Sequence, residues 1–276
     1  MVEVLDCKCI KEQELTRLKK EISSPLTLAV IQIGKFKENE LYLRNKEILA
    51  KNLGVCLFFY SFDDQNEKEE IIEQIKKLNK DPNINGMMIQ KPILPNYCYQ
   101  ELVDFIDVRK DVDCVTSFNK KNWKTTKGFL PCTTKSILKI LNYYHITLEN
   151  KKVTILGRSD LSTMPIYEIY KEKSDITLCN SKTENIKDKI KNSDIVISAI
   201  GKPCYFTKDY FREGQVIIDV GINFQDGKIV GDIDSSSLEE SSYNLKITKV
   251  PGGVGMLTPL YLFDNLLYAS KIQKRK

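Results

Sequence analysis

Tyr42 and Lys46 stand four residues apart in a stretch, Asn39 to Asn52, whose apolar spacing is helical. Their side chains therefore leave one face of a helix and can meet a single ligand. A lysine there exchanges protons near neutral pH only if partial burial lowers its pKa. Gln90 closes the apolar run Gly86-Met87-Met88-Ile89-Gln90, and Pro92 and Pro95 keep that strand from continuing inside a sheet. This puts a side-chain amide at the carboxyl end of a strand, where open α/β sheets bind ligands. Lys110-Asp111-Val112-Asp113 follows the next helical stretch, and either carboxylate can serve as a ligand group or as a loop or cap residue. Singly, none of these defines a reaction.

A second candidate is Thr154-Ile155-Leu156-Gly157-Arg158-Ser159-Asp160-Leu161-Ser162-Thr163-Met164-Pro165. It passes from an apolar strand through a polar turn to a helix start, as dinucleotide-binding turns do. It holds one glycine, Gly157, where such turns carry two or three. NAD-selective sites have an acidic residue at the end of the second strand for the ribose hydroxyl. Here that place reads Cys179-Asn180-Ser181-Lys182, without a carboxylate, while Arg158 is available for an added phosphate. NADP is favoured over NAD.

The elements that must position these groups alternate. Leu26–Ile33 is a near-continuous apolar run, as expected of a parallel strand covered on both faces. A helix over 39–52, a strand at 55–60, helical spacing of Ile71, Ile72, Ile75 and Leu78, a strand at 86–90 and a helix near 100–106 follow. The polar segment 117–128 interrupts the alternation and reads as a domain boundary. Thr133 or Thr134 is then placed to cap a helix. Strands at 153–156, 176–179, 194–200 and 215–220 with helices between them resemble a dinucleotide-binding sheet. Thr258 and Pro259 read as the N-cap and first position of a closing helix.

With 276 residues, 42% of them hydrophobic, the chain is long enough for one large or two ordinary globular domains, and disorder is not expected. The net charge of +5 comes from lysines alternating with acidic residues, and the one dense basic cluster is the tail, so nucleic acid is not expected as a partner. No run of roughly 18 apolar residues is present, which sets membrane insertion aside, and the start lacks the apolar run of a secretory signal. Eight cysteines with no CxxC pair and a single histidine, His145, lack zinc spacing. A cytoplasmic protein with reduced thiols and no metal is expected.

Taken in order, the short motifs of this chain are similar to those of the bifunctional methylenetetrahydrofolate dehydrogenase/cyclohydrolase (FolD) family. The matches begin with Gly34, Tyr42-x-x-x-Lys46, Gly86-x-x-Ile89-Gln90-x-Pro92 and Lys110-Asp111-Val112-Asp113. They continue through Pro131-Cys132-Thr133, Gly157-Arg158-Ser159, Cys179-x-Ser181-Lys182-Thr183 and Gly201-Lys202-Pro203. Asp219-Val220-Gly221-Ile222-Asn223, Gly231-Asp232 and Pro251-Gly252-Gly253-Val254-Gly255 complete the series.

The resemblance implies a folate-binding cleft between two α/β domains. The first, 1–117, would be an open α/β sheet that binds tetrahydrofolate and is joined by the C-terminal helix at about 257–273. The second, 118–256, would be a Rossmann-like NADP-binding domain. Lys46 is implied as the catalytic lysine, Gln90 as its hydrogen-bonding partner, Tyr42 as the ring stacked on the folate and Asp113 as the pterin ligand. Gly252 and Gly253 would lie against the folate, and Thr133, Gly157, Arg158, Ser159, Ser181 and Ile222 against the cofactor. Oxidation of methylenetetrahydrofolate, hydrolysis of the methenyl product, a role in one-carbon metabolism and purine biosynthesis, and a homodimer follow as expectations. Where the family commonly has other residues, this chain has Asn39, Lys91, Cys114, Thr134, Ser136, Asn180 and Met256. Ser162 and Thr163 depart within the cofactor turn itself. A β-branched residue at 163 is expected to push the helix from the strand or crowd the pyrophosphate. A cyclohydrolase with weak or lost dehydrogenase activity, a non-catalytic folate- or nucleotide-binding relative and a shikimate-type dehydrogenase are the alternatives.

Overall fold

The computed structural model describes residues 1–124 and 129–274, and for positions 37–39, 41 and 42 the backbone alone. The chain divides into two compact units, Gln13–Cys132 with Pro259–Lys276, and Met1–Glu12 with Thr133–Thr258. It opens with β1 (Val2–Leu5) and α1 (Lys8–Glu21). In the first-named unit, β2 (Leu26–Ile33), α2 (Lys37–Leu53), β3 (Val55–Phe62), α3 (Lys68–Lys80) and β4 (Gly86–Ile89) follow in alternation. The three strands form a parallel sheet in the order β3-β2-β4. Central β2 is buried along nearly all its length, which is why its sequence is apolar without alternation.

Local signals place the helices. At the start of α3 the Glu67 side chain and the Glu70 side chain each accept the other's backbone N–H, a reciprocal cap. Its stripe of Ile71, Ile72, Ile75 and Leu78 is buried. At its far end, buried Lys110 donates from Nζ to the carbonyls of Leu78 (2.9 Å) and Asp81 (2.7 Å). α2 stops at Gly54, whose φ of 68° is left-handed. The short α4 (Tyr99–Val103) and α5 (Ser117–Asn122) complete this unit's first segment. α5 lies where the polar composition suggested a linker. The Thr116 hydroxyl caps it by accepting the Asn119 N–H (3.1 Å). Residues 125–128 of that segment lie outside the described residues.

The other unit contains α6 (Cys132–Tyr143), β5 (Lys152–Leu156), α7 (Thr163–Tyr170), β6 (Asp175–Cys179), α8 (Ile186–Lys191), β7 (Ile195–Ser198) and β8 (Val216–Asp219). β9 (Asn223–Gln225) and β10 (Lys228–Val230) pair as an antiparallel ladder, and α9 (Ser235–Glu239) and β11 (Leu245–Thr248) follow. Six parallel strands lie in the order β1-β11-β8-β7-β5-β6. The order reverses between β5 and β7, the switch point at which open α/β sheets bind ligands. Leu156, Val196, Ile217 and Ile247 of its strands pack with Phe206 and Phe211 in a buried cluster.

Three expectations change. Neither Thr133 nor Thr134 caps α6, because the helix already begins at Cys132, and Thr134 instead donates to the carbonyls of Leu161 and Ser162 (3.2 Å each). α10 (Val254–Gln273) starts four residues before Thr258 and carries Pro259 inside it. There the Thr258 hydroxyl donates to the Val254 carbonyl (3.2 Å) rather than capping the helix. Met1–Glu12 belongs with Thr133–Thr258, because β1 pairs with β11, a long-range pairing that no local pattern announces.

Candidate active site

α2 brings Lys46 onto the same stripe as buried Leu43 and Ala50, three and four residues away. The amine is therefore half-buried by the spacing of its own helix. Its Nζ donates to Oε1 of Gln90 (2.9 Å), just beyond the end of β4. Gln90, 7% exposed, in turn donates from Nε2 to the Lys91 carbonyl (2.6 Å), which orients the amide. Burial pushes the Lys46 amine below the usual lysine range, and the charges of Asp113 and Cys132 oppose that push. Tyr42 lies one turn earlier on α2, but its side chain is outside the described residues.

The two carboxylates of Lys110-Asp111-Val112-Asp113 have separate surroundings. Asp111 is fully buried and accepts the N–H groups of Val115 (3.0 Å) and Thr116 (2.9 Å) and the Asn119 amide (2.9 Å). It fixes the loop. Asp113 has its carboxyl raised by burial and by the Asp111 charge. Lys46, a hydrogen bond from Cys132 and the Lys91 charge pull it back down. Lys91 lies over the Tyr99 ring, 3.9 Å from its centroid. Burial and the Lys120 charge lower its pKa, while Asp113 raises it. Asn265 of α10 donates from one amide nitrogen to the carbonyls of Val112 (2.8 Å) and Leu130 (3.1 Å) and to Cys132 Sγ (3.6 Å). Tyr99 and Asn265 thus join this cluster without a local sequence signal, because each arrives from a different segment.

In the other unit, Gly157 ends β5 with φ +97°, and a Cβ there would meet the Ala199 carbonyl at 2.4 Å. Only glycine lets β5 leave the sheet so close to the end of β7. The Thr163 side chain is fully buried. Its hydroxyl donates to the Gly157 carbonyl (3.0 Å) and accepts the Ser159 N–H (3.0 Å). The branched side chain turns inward, and its hydroxyl bonds the turn it was expected to disturb. Arg158 is exposed, and Ser159 half-buried. At the end of β6, exposed Ser181 lies beside Asn180, whose Oδ1 accepts the Lys182 N–H (2.8 Å). With a glycine cradle, an exposed arginine and no carboxylate at this strand end, these residues fit a phosphorylated dinucleotide.

Ile222 is 46% exposed, Thr133 sits half-buried in the first turn of α6, and Gly252, at φ +113°, precedes buried Gly253 ahead of α10. Asp219 and Asp232 organise the loops around Ile222. Asp232 accepts from Ser198 Oγ (2.9 Å), the N–H groups of Ile200 (2.7 Å) and Lys202 (3.1 Å), and Asn223 Nδ2 (3.1 Å). Asp219 accepts the N–H groups of Gly221 (2.9 Å), Asp232 (3.1 Å) and Ile233 (3.0 Å), yet burial still pushes its carboxyl up to about 7. Gly231 is required here because a Cβ would collide with the Asp219 carboxylate. His145, exposed, follows α6 in a left-handed conformation. Among the described residues no group of three or more His, Cys, Asp or Glu could hold a metal ion, and no helix is long and apolar enough to cross a membrane.

Residues 5–113 match the family described as tetrahydrofolate dehydrogenase/cyclohydrolase, catalytic domain, and residues 131–274 match its NAD(P)-binding domain. The bifunctional protein FolD of Thermodesulfovibrio yellowstonii is 35% identical, with 99% of this chain and 98% of that protein aligned. The bifunctional 5,10-methylenetetrahydrofolate dehydrogenase/cyclohydrolase of Thermoplasma acidophilum superposes with a TM-score of 0.91 at 31% identity, covering 99% of this chain and all of that one. The Trypanosoma brucei methylenetetrahydrofolate dehydrogenase-cyclohydrolase, solved with NADP and an inhibitor, superposes with a TM-score of 0.90 at 25% identity, covering 100% and 99%.

Proposed function

The chain belongs to the tetrahydrofolate dehydrogenase/cyclohydrolase family, and from that premise we propose how its residues divide the work. The enzyme is bifunctional: it oxidises methylenetetrahydrofolate to methenyltetrahydrofolate with NADP and hydrolyses the methenyl compound to formyltetrahydrofolate. NADP, when bound, accepts the hydride that leaves the methylene carbon.

Lys46 is assigned the proton transfers of the hydrolytic step. The observation that carries this assignment is the Lys46 Nζ–Gln90 Oε1 contact of 2.9 Å on an amine that burial holds below its ordinary pKa. A neutral amine takes a proton from the attacking water without repelling the methenyl cation. Gln90 holds Nζ in place. Asp113 is assigned to the N–H groups of the pterin; burial raises its carboxyl, and Lys46, the Cys132 thiol and Lys91 favour the charged form that accepts them. Tyr42 stacks on the folate, and Gly252 and Gly253 allow backbone to approach it. Thr133, Gly157, Arg158, Ser159, Ser181 and Ile222 hold NADP, with Arg158 on the added phosphate.

The folate is assigned to the unit carrying Lys46 and the nucleotide to the unit carrying the six-stranded sheet. The product feeds one-carbon metabolism and purine biosynthesis in the cytoplasm, a placement supported by eight free cysteines. A homodimer formed through the nucleotide unit is supported by exposed Phe224, 56% accessible, in the β9–β10 ladder.

Lys46→Ala tests the central assignment. Methenyl hydrolysis should fall about a hundredfold or more while the folate still binds. Unchanged hydrolysis would remove Lys46 from the mechanism.

A further inference from the structure

We propose that the Thr163 hydroxyl is the positioning group of the nucleotide turn, closing by two hydrogen bonds a turn that ordinarily relies on glycine at this place. The inference rests on taking Gly157–Pro165 as the NADP turn. In a βα nucleotide turn the last glycine of the fingerprint permits close packing of helix on strand. Here Thr163, the first residue of α7, is fully buried.

Its Oγ uses both of its capacities on the turn's own backbone. It donates to the Gly157 carbonyl and accepts the Ser159 N–H, each at 3.0 Å. One hydroxyl thus ties the strand end, the turn and the helix start together. The Ser159 carbonyl gathers the N–H groups of Ser162 (3.2 Å), Thr163 (3.1 Å) and Met164 (3.0 Å), so the amides at the start of α7 already have acceptors within the protein. This differs from a helix N-terminus that offers free amides to an anion. The turn attains its shape before the nucleotide arrives, and the ordering cost of binding falls accordingly. Exposed Arg158, projecting from this fixed turn, supplies charge for the phosphate.

Without the hydroxyl, the half-buried Gly157 carbonyl and the Ser159 N–H both lose this partner. The turn opens, and nucleotide affinity drops. The measurement is calorimetric titration of the complete chain with NADP, for the wild type and for Thr163→Ala, Thr163→Ser and Arg158→Ala. Amide hydrogen exchange at residues 157–164 without nucleotide and nucleotide-free methenyl hydrolysis accompany it. Thr163→Ala should raise the Kd for NADP about tenfold and speed exchange at Ser159, while hydrolysis is retained. Thr163→Ser keeps the hydroxyl and should restore both values to within about twofold.

If Thr163→Ala binds NADP as tightly as the wild type or more so, while Arg158→Ala binds weakly, the positioning role is overturned and the location of the turn stands. If neither variant weakens binding, the assignment of the turn falls and takes the proposal with it. Should Thr163→Ala lose hydrolysis as well, and so be unfolded, Thr163→Ser decides: wild-type affinity and exchange support the hydroxyl's role, and weakened affinity refutes it.

Discussion

The buried amine of Lys46 and the carboxyl of Asp113 are each driven toward neutrality by loss of water, and each is restrained by the other's charge. Removing one charge therefore retunes the other. Asp113 raises the Lys46 pKa, so Asp113→Asn should let it fall further. The rising limb of the pH profile for methenyl hydrolysis, measured at saturating folate, then moves to lower pH. A limb that stays in place or moves upward would show that Lys46 is not the group being titrated. Lys46 and Gln90 were visible in the sequence because one helix face and one strand end, each marked locally, are enough to nominate them. Tyr99 and Asn265 were not, since their role depends on which segments meet after folding. Thr163 is the instructive case at this scale. Its branched shape could be read from the sequence and argued for crowding, but the direction of its hydroxyl depends on the backbone around it.

Among the elements, α3 is held at both ends by side chains, the reciprocal Glu67–Glu70 cap at its start and the Lys110 ammonium at its finish. The positive charge sits where the helix dipole and the last carbonyls favour it. Lys110→Met removes two charge-assisted bonds in a buried place and should cost about 2–3 kcal/mol, read as a lower urea midpoint with an unchanged slope. A loss under about half a kilocalorie would mean that water replaces the ammonium there. A strand with a long apolar run, such as β2, and a helix with strong periodicity, such as α3, were legible from composition and spacing. The start of α10 was not. Thr258-Pro259 has the residue types of a helix entrance, and those types carry no information on whether a turn of helix already precedes them, as it does from Val254. The ladder of β9 and β10, three residues each, is too short for an alternation to register.

For the molecule as a whole, the two α/β units and their parallel sheets could be anticipated, because the repeated passage from apolar run to helical spacing leaves few topologies. The extent of each unit could not, since β1 joins the sheet of the other end of the chain. Global stability should carry the mark of Asp219. Its carboxyl is raised from 3.8 to about 7 in the folded state. The native protein therefore holds a proton that the unfolded chain releases, and this group's contribution is present at low pH and lost as pH rises through that interval. Asp219→Asn removes the titration. The melting temperature of the variant minus that of the wild type should become more positive between pH 4 and pH 8, whatever its value at the acid end. A difference that does not change with pH would place the carboxyl's pKa outside this window.

The pairing of β1 with β11 also bears on how the chain is made. The Met1 ammonium donates to the Tyr243 carbonyl across 242 residues of sequence, and β1 has β11 as its ladder neighbour. Synthesis delivers β1 long before β11. The strands β2, β3 and β4 can assemble while later residues are still being added, whereas the opening strand must wait for its neighbour to leave the ribosome. Its place at the edge of the sheet closes a contact of very large sequence separation, the kind that raises contact order.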